Sequence, residues 1–159
     1  MSKSLLSVLP AGLVVDRVSV EADRVAVTAH VRAAKAACPL CRRPFLRVYS
    51  RYSRHLGDLP WQGRVGELHL QVRRFRCATT NCPRRIFAER LPAVASPRVR
   101  RTRRLAEAQR AIALSAGGNP DARLATKLAM LVSGDTLLRL NGAEPVAPVP
   151  VARVIGIDD

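Results

Sequence analysis

Apolar and polar residues alternate between residues 13 and 32. Val18 and Val20, then Val25, Val27, Ala29 and Val31, lie two apart, while Arg24, Thr28, His30 and Arg32 take the other face. A period of two places successive side chains on opposite faces of a strand, so this segment predicts a β-hairpin turning at Glu21 to Asp23. Phe45 to Tyr52 predicts a further strand, and Leu68, Leu70 and Val72 alternate with Glu67, His69, Gln71 and Arg73. Residues 1–92 read as a β-rich domain.

The period changes at Ser96-Pro97, an N-cap residue followed by proline at the first helical position. Leu105, Ala108, Ile112 and Ala116 then recur at three and four, which predicts a helix from Pro97 to Ala116 ending at Gly117-Gly118. Asn119-Pro120 repeats the start signal and opens a second helix with Leu124, Leu128 and Leu131 on one face. Ser133 caps a third, short helix carrying Leu137, Leu138 and Leu140, closed by Asn141-Gly142. Residues 96–142 thus form a helical domain. Its last two helices fit either a helix-turn-helix, with Ser133, Asp135, Thr136 and Arg139 as base-reading candidates, or a plain helical hairpin packed on the first helix. Pro145, Pro148 and Pro150 make 143–152 a stiff linker, and 153–159 resembles the first buried strand of another domain. The expected fold class is α+β.

Composition adds a constraint. Hydrophobic residues are 48% of the 159 but aromatics only 4%, so the core is built from Leu, Val and Ala and stays shallow. Small cores usually need a staple. Cys38-Pro39-Leu40-Cys41 and Cys77-Ala78-Thr79-Thr80-Asn81-Cys82 supply one: two close pairs, separated by 35 residues that form strands of their own. Four thiolates at about 2.3 Å close the shell of a tetrahedral zinc ion and leave no open position, which predicts a structural site. A redox dithiol at Cys38 and Cys41 would need an adjoining βαβ pattern, which is missing, and scattered core cysteines would not fall in two pairs. Because four cysteines saturate zinc, His30, His55 and His69 read as strand or loop residues. The closed shell also disfavours a zinc hydrolase. No apolar run reaches the roughly 18 residues of a membrane span.

Charge narrows the partner. The net charge is +15, and Arg42 to Arg110 hold 18 arginines against Asp58, Glu67, Glu89 and Glu107, so +14 of it sits in that stretch. A localised field of arginines, which bind phosphate in bidentate fashion, points to an anionic polymer. Residues 1–36 are nearly balanced, which argues against a uniform genomic bias toward arginine. Arg98, Arg100, Arg101, Arg103 and Arg104 would occupy the first turns of the predicted first helix, where the macrodipole disfavours cations. A phosphate backbone would favour them, together with Arg84, Arg85 and Arg90 around the second cysteine pair.

These residues resemble a known family. Cys38-Pro-Leu-Cys41, Tyr49-Ser-Arg-Tyr52, Leu59-Pro-Trp61, Val72-Arg-Arg-Phe-Arg-Cys77, Cys82-Pro-Arg-Arg-Ile-Phe-Ala-Glu-Arg90 and Ile155-Gly-Ile-Asp158 look like the ISL-three group of insertion-sequence transposases. The resemblance implies a zinc finger, a helix-turn-helix for the element's terminal inverted repeats, and a ribonuclease-H-like domain with an acidic triad that binds Mg²⁺. Asp158 would be the first catalytic carboxylate, with Asp159 ranked second. Two-metal phosphoryl transfer needs several carboxylates. The chain is therefore expected to be a truncated transposase that neither cleaves nor joins DNA alone, in the bacterial cytoplasm at the nucleoid, with a homo-oligomer possible in the full-length complex. The alternative expectation is a stand-alone zinc-ribbon regulator that binds DNA or RNA.

Overall fold

The structure, a computed structural model, describes residues 9–10, 12–115 and 119–142. Ala116, Gly117-Gly118, the proline-rich 143–152 and the expected strand at 153–159, with Asp158 and Asp159, lie outside the described residues.

Strands β1 (Leu13–Val20) and β2 (Arg24–Val31) form the expected hairpin, with the Glu21 N–H donating to the Arg24 carbonyl at 2.9 Å. The short strands β3 (Ala36–Ala37) and β4 (Pro44–Phe45) pair with each other. A long hairpin follows, β5 (Val48–Trp61) and β6 (Arg64–Arg76), and then β7 (Ile86–Ala88). The main sheet runs β1-β2-β6-β5, with β7 also on β6. β2 and β6 are parallel, from Arg24 opposite Val65 to His30 opposite Gln71. A parallel pair needs a long crossover. Here β3, β4 and β5 supply it.

The strand expected at Phe45 to Tyr52 is corrected: β5 starts later and runs to Trp61. Its second half escapes a hydrophobic pattern because Arg54 and Asp58 take the same face as buried Leu56. Gln62 and Gly63 make the turn with φ of 50° and 76°, both positive as a two-residue type I′ loop demands. Gly66 admits no side chain, since a Cβ would stand 2.0 Å from the Leu59 carbonyl oxygen. On the inner face, Val27, Ala29, Leu56, Leu68, Leu70 and Val72 pack with Val94 and Ala95.

Three helices follow among the described residues, α1 (Arg103–Ala113), α2 (Asn119–Lys127) and α3 (Gly134–Asn141). The expected start at Pro97 is corrected. Thr102 is the N-cap, its hydroxyl accepting from the Leu105 N–H at 3.3 Å. Residues 96–102 are held out of the helix by the sheet: Arg54 donates to the Ser96 and Val99 carbonyls at 2.6 Å each. The Gly57 N–H donates to the Arg100 carbonyl, and the Thr102 N–H to the Gly57 carbonyl, both at 2.9 Å. This arm lies along the outer edge of β5.

The apolar face expected on α2 is also corrected. Leu124, Leu128 and Leu131 are 45%, 48% and 67% exposed, and Leu128 and Leu131 lie beyond the helix; Asp121 and Ala125 are buried instead. Small Ala125 shares a buried cluster with Leu105 and Met130. In α3, whose cap at Ser133 is as expected, Leu137 is buried and Leu138 exposed. Among the described residues no helix is long and apolar enough to cross a membrane.

Candidate metal centre and basic surface

Each cysteine pair sits on a tight turn. In the first, between β3 and β4, the Arg42 N–H donates to the Cys38 carbonyl and the Cys38 N–H to the Arg43 carbonyl, both at 2.9 Å, with Arg42 at φ 58°. In the second, between β6 and β7, the Cys77 N–H donates to the Arg85 carbonyl at 2.9 Å and the Cys82 N–H to the Thr79 carbonyl at 3.1 Å. The turns face each other over Phe75 and Phe87, stacked at 5.6 Å.

The four sulfurs lie within 4.8 Å of one another, with Cys38 to Cys82 at 3.9 Å and Cys41 to Cys77 at 3.7 Å. A tetrahedron with metal–sulfur bonds of about 2.3 Å has edges of about 3.8 Å, so these separations fit zinc. All four cysteines are free thiols. The thiol energetics point the same way. Cys41 is held down to about 6, first by the Thr79 hydroxyl, then by the Arg43 backbone N–H and by the Cys38 and Cys77 thiols. Cys82 is pushed up to about 11: the Arg84 backbone N–H opposes the rise, but burial and the Cys77, Cys38 and Cys41 thiols outweigh it. Thiols this close cannot all ionise unaided. A divalent cation at their centre removes the conflict, and four cysteine ligands leave it no open position, as in a structural site. His30 instead meets Asp16 at 2.8 Å, and His55 stacks on His69 at 4.2 Å, so the histidines are strand residues.

The arginines divide into two groups. Arg84, Arg85, Arg90, Arg98 and Arg100 are exposed, and none has an acidic partner among the described residues. Arg103 is exposed beside Glu107 at 3.9 Å. Arg101 is half-buried and donates to the Gln109 side chain at 2.5 Å, and its burial lowers the guanidinium's pKa. Arg104 forms a two-pronged ion pair with buried Asp58, which also accepts from the Thr102 hydroxyl at 2.7 Å. Arg98, Arg100 and Arg101 precede α1 and do not occupy its first turns as expected. For Arg104 the compensating anion is Asp58.

A groove of about 510 Å³ gathers Arg98, Arg100, Arg101 and Arg103 from the arm and α1 with Thr136 and Arg139 of α3. Ser133 is occupied in capping α3, bonded to the Thr136 hydroxyl at 2.9 Å. Arg85 borders neither this groove nor the cavity described below. Sequence reasoning missed Arg54 and Asp58, the two side chains that fasten arm and helices to the sheet. Two charged residues four apart on the inward-facing side of a strand were the available signal.

No curated protein and no solved structure matches the chain. Residues 34–82, which hold both cysteine turns and the β5–β6 hairpin between them, match the family described as the zinc-finger of transposase IS204/IS1001/IS1096/IS1165.

Proposed function

We propose that this chain is a zinc-dependent DNA-binding module of a transposase and that it recognises terminal inverted repeats. The observation that carries the reading is the groove in which exposed arginines of the arm meet Thr136 and Arg139 of α3, on a fold whose cysteine turns match a transposase zinc finger. The arm's arginines engage phosphates and set the register, since phosphate contacts position a protein without reading sequence. With α2 and α3 as a helix-turn-helix, α3 enters the major groove and Arg139 grips a guanine edge. Zinc acts by holding β3, β4 and β7 against the end of β6.

The test is a titration of the zinc-loaded chain with inverted-repeat duplex, random duplex and RNA over a salt series. Log affinity falls linearly with log salt, by about 0.9 per phosphate neutralised. Arg100→Ala flattens that slope by about one such unit on every duplex, while Arg139→Ala lowers the preference for the repeat. Equal affinity for the repeat and random duplexes refutes repeat recognition. Tighter binding to RNA than to either duplex favours a stand-alone RNA-binding regulator.

A further inference from the structure

A second hollow, of about 640 Å³, lies between the second cysteine turn, the inner face of the sheet and the start of the arm. This size is ordinary for a small-ligand site. Tyr52, Leu70, Val72 and Phe87 give it an apolar floor, and exposed Arg84, Arg90 and Arg98 stand around it. Among the described residues the one acid that lines it, Glu89, is buried and committed to Arg73 at 2.6 Å, so the free charge around the hollow is positive. Ser96 and Arg98 line both this hollow and the arginine groove. Arg98 holds φ at 65°, a left-handed backbone that non-glycine residues adopt at a cost and that gathers at ligand clamps. The Arg74 guanidinium lies over the Tyr52 ring, 4.6 Å from its centroid, and Tyr52 lines the hollow.

We propose that this hollow captures one unstacked base of a DNA strand whose backbone continues into the arginine groove. The inference rests on the DNA-binding reading and adds a single-stranded nucleotide to it. An apolar floor with an aromatic ring accepts the π face of any base, and arginines at the rim take its phosphate. An apolar peptide side chain would leave the three arginines unanswered.

The experiment uses the zinc-loaded chain and three versions of one DNA: a blunt duplex, the same duplex with a single unpaired 2-aminopurine nucleotide, and the duplex with an abasic overhang. The unpaired base raises affinity by about 5- to 100-fold, the range of one stacked base at a factor of ten per 1.4 kcal/mol. Its fluorescence changes on binding, and the abasic overhang loses most of the gain. Ser96→Trp fills the hollow from an exposed position and abolishes the gain, measured against the variant's own blunt-duplex affinity, while zinc content stays unchanged. Arg90→Glu, also exposed, weakens the gain. Equal affinity for blunt and overhang DNA overturns the proposal and leaves the DNA-binding reading standing. A gain that survives the abasic site or Ser96→Trp also overturns it. Failure to bind any duplex overturns both.

Discussion

The sheet half and the helical half of this chain bury different kinds of residue. In the sheet, Val27, Ala29, Leu68, Leu70 and Val72 follow the strand period and form one continuous inner face. Among the described residues the helical half buries only Leu105, Ala113, Ala125, Met130 and Leu137 as apolar side chains, accompanied by buried Gln109 and Asp121. Leu124, Leu128 and Leu131, which look like a core stripe in the sequence, are exposed. A core this small cannot hold three short helices by apolar burial alone, since isolated helices of this length are marginal in water. The helical half depends on its ties to the sheet: the arm along β5, the Thr102 cap and the Asp58–Arg104 pair.

That dependence can be broken in graded steps. The largest effect belongs to zinc, because metal binding to a small finger is itself folding free energy. Cys77→Ser should abolish bound zinc and expose the amides of residues 36–45 and 77–88 to hydrogen exchange, while β1 and β2 keep their protection. An unchanged melting curve would contradict a structural role for zinc. Asp58→Ala comes next, at about 3 to 5 kcal/mol, because it strands the half-buried Arg104 charge and takes an acceptor from Thr102. The helices should then melt below the sheet in circular dichroism. A single cooperative transition at the original midpoint would show that the two halves are joined by other contacts. Thr102→Ala loses the cap of α1 for about 1 to 2 kcal/mol, read as a lower thermal midpoint. Leu124→Glu should shift stability by no more than about 0.5 kcal/mol, as for other exposed positions. A large destabilisation there would restore the leucine stripe as a core.

How much of this was legible follows from the same contrast. The first hairpin could be read because its valines are apolar wherever the backbone turns inward. The cysteine quartet could be read because two close pairs are rare without a metal to join them. The second half of β5 could not, since Arg54 and Asp58 occupy inward positions and are answered by partners about 40 residues away. The start of α1 was misplaced for a related reason. Ser96-Pro97 is a sound local start signal, but Arg54 and Gly57 claim the backbone that a helix would have used. Local propensity lost to long-range hydrogen bonds in both places. In α2, alanine at the packed position lets neighbours approach closely, a gain that no hydrophobicity pattern displays.

The parallel pairing of β2 with β6 also fixes an order in time. During synthesis β2 emerges first, and the edge that β6 will occupy stays open until residues 65–71 exist. The metal must wait longer still, for Cys82. The chain therefore passes through an interval with a hairpin made, an edge unfilled and no zinc to close the loop. Such non-local pairing is slow, and open edges invite other chains. Arg24, Thr28 and His30, polar residues along β2, guard that edge on one face while the rest of the sheet arrives.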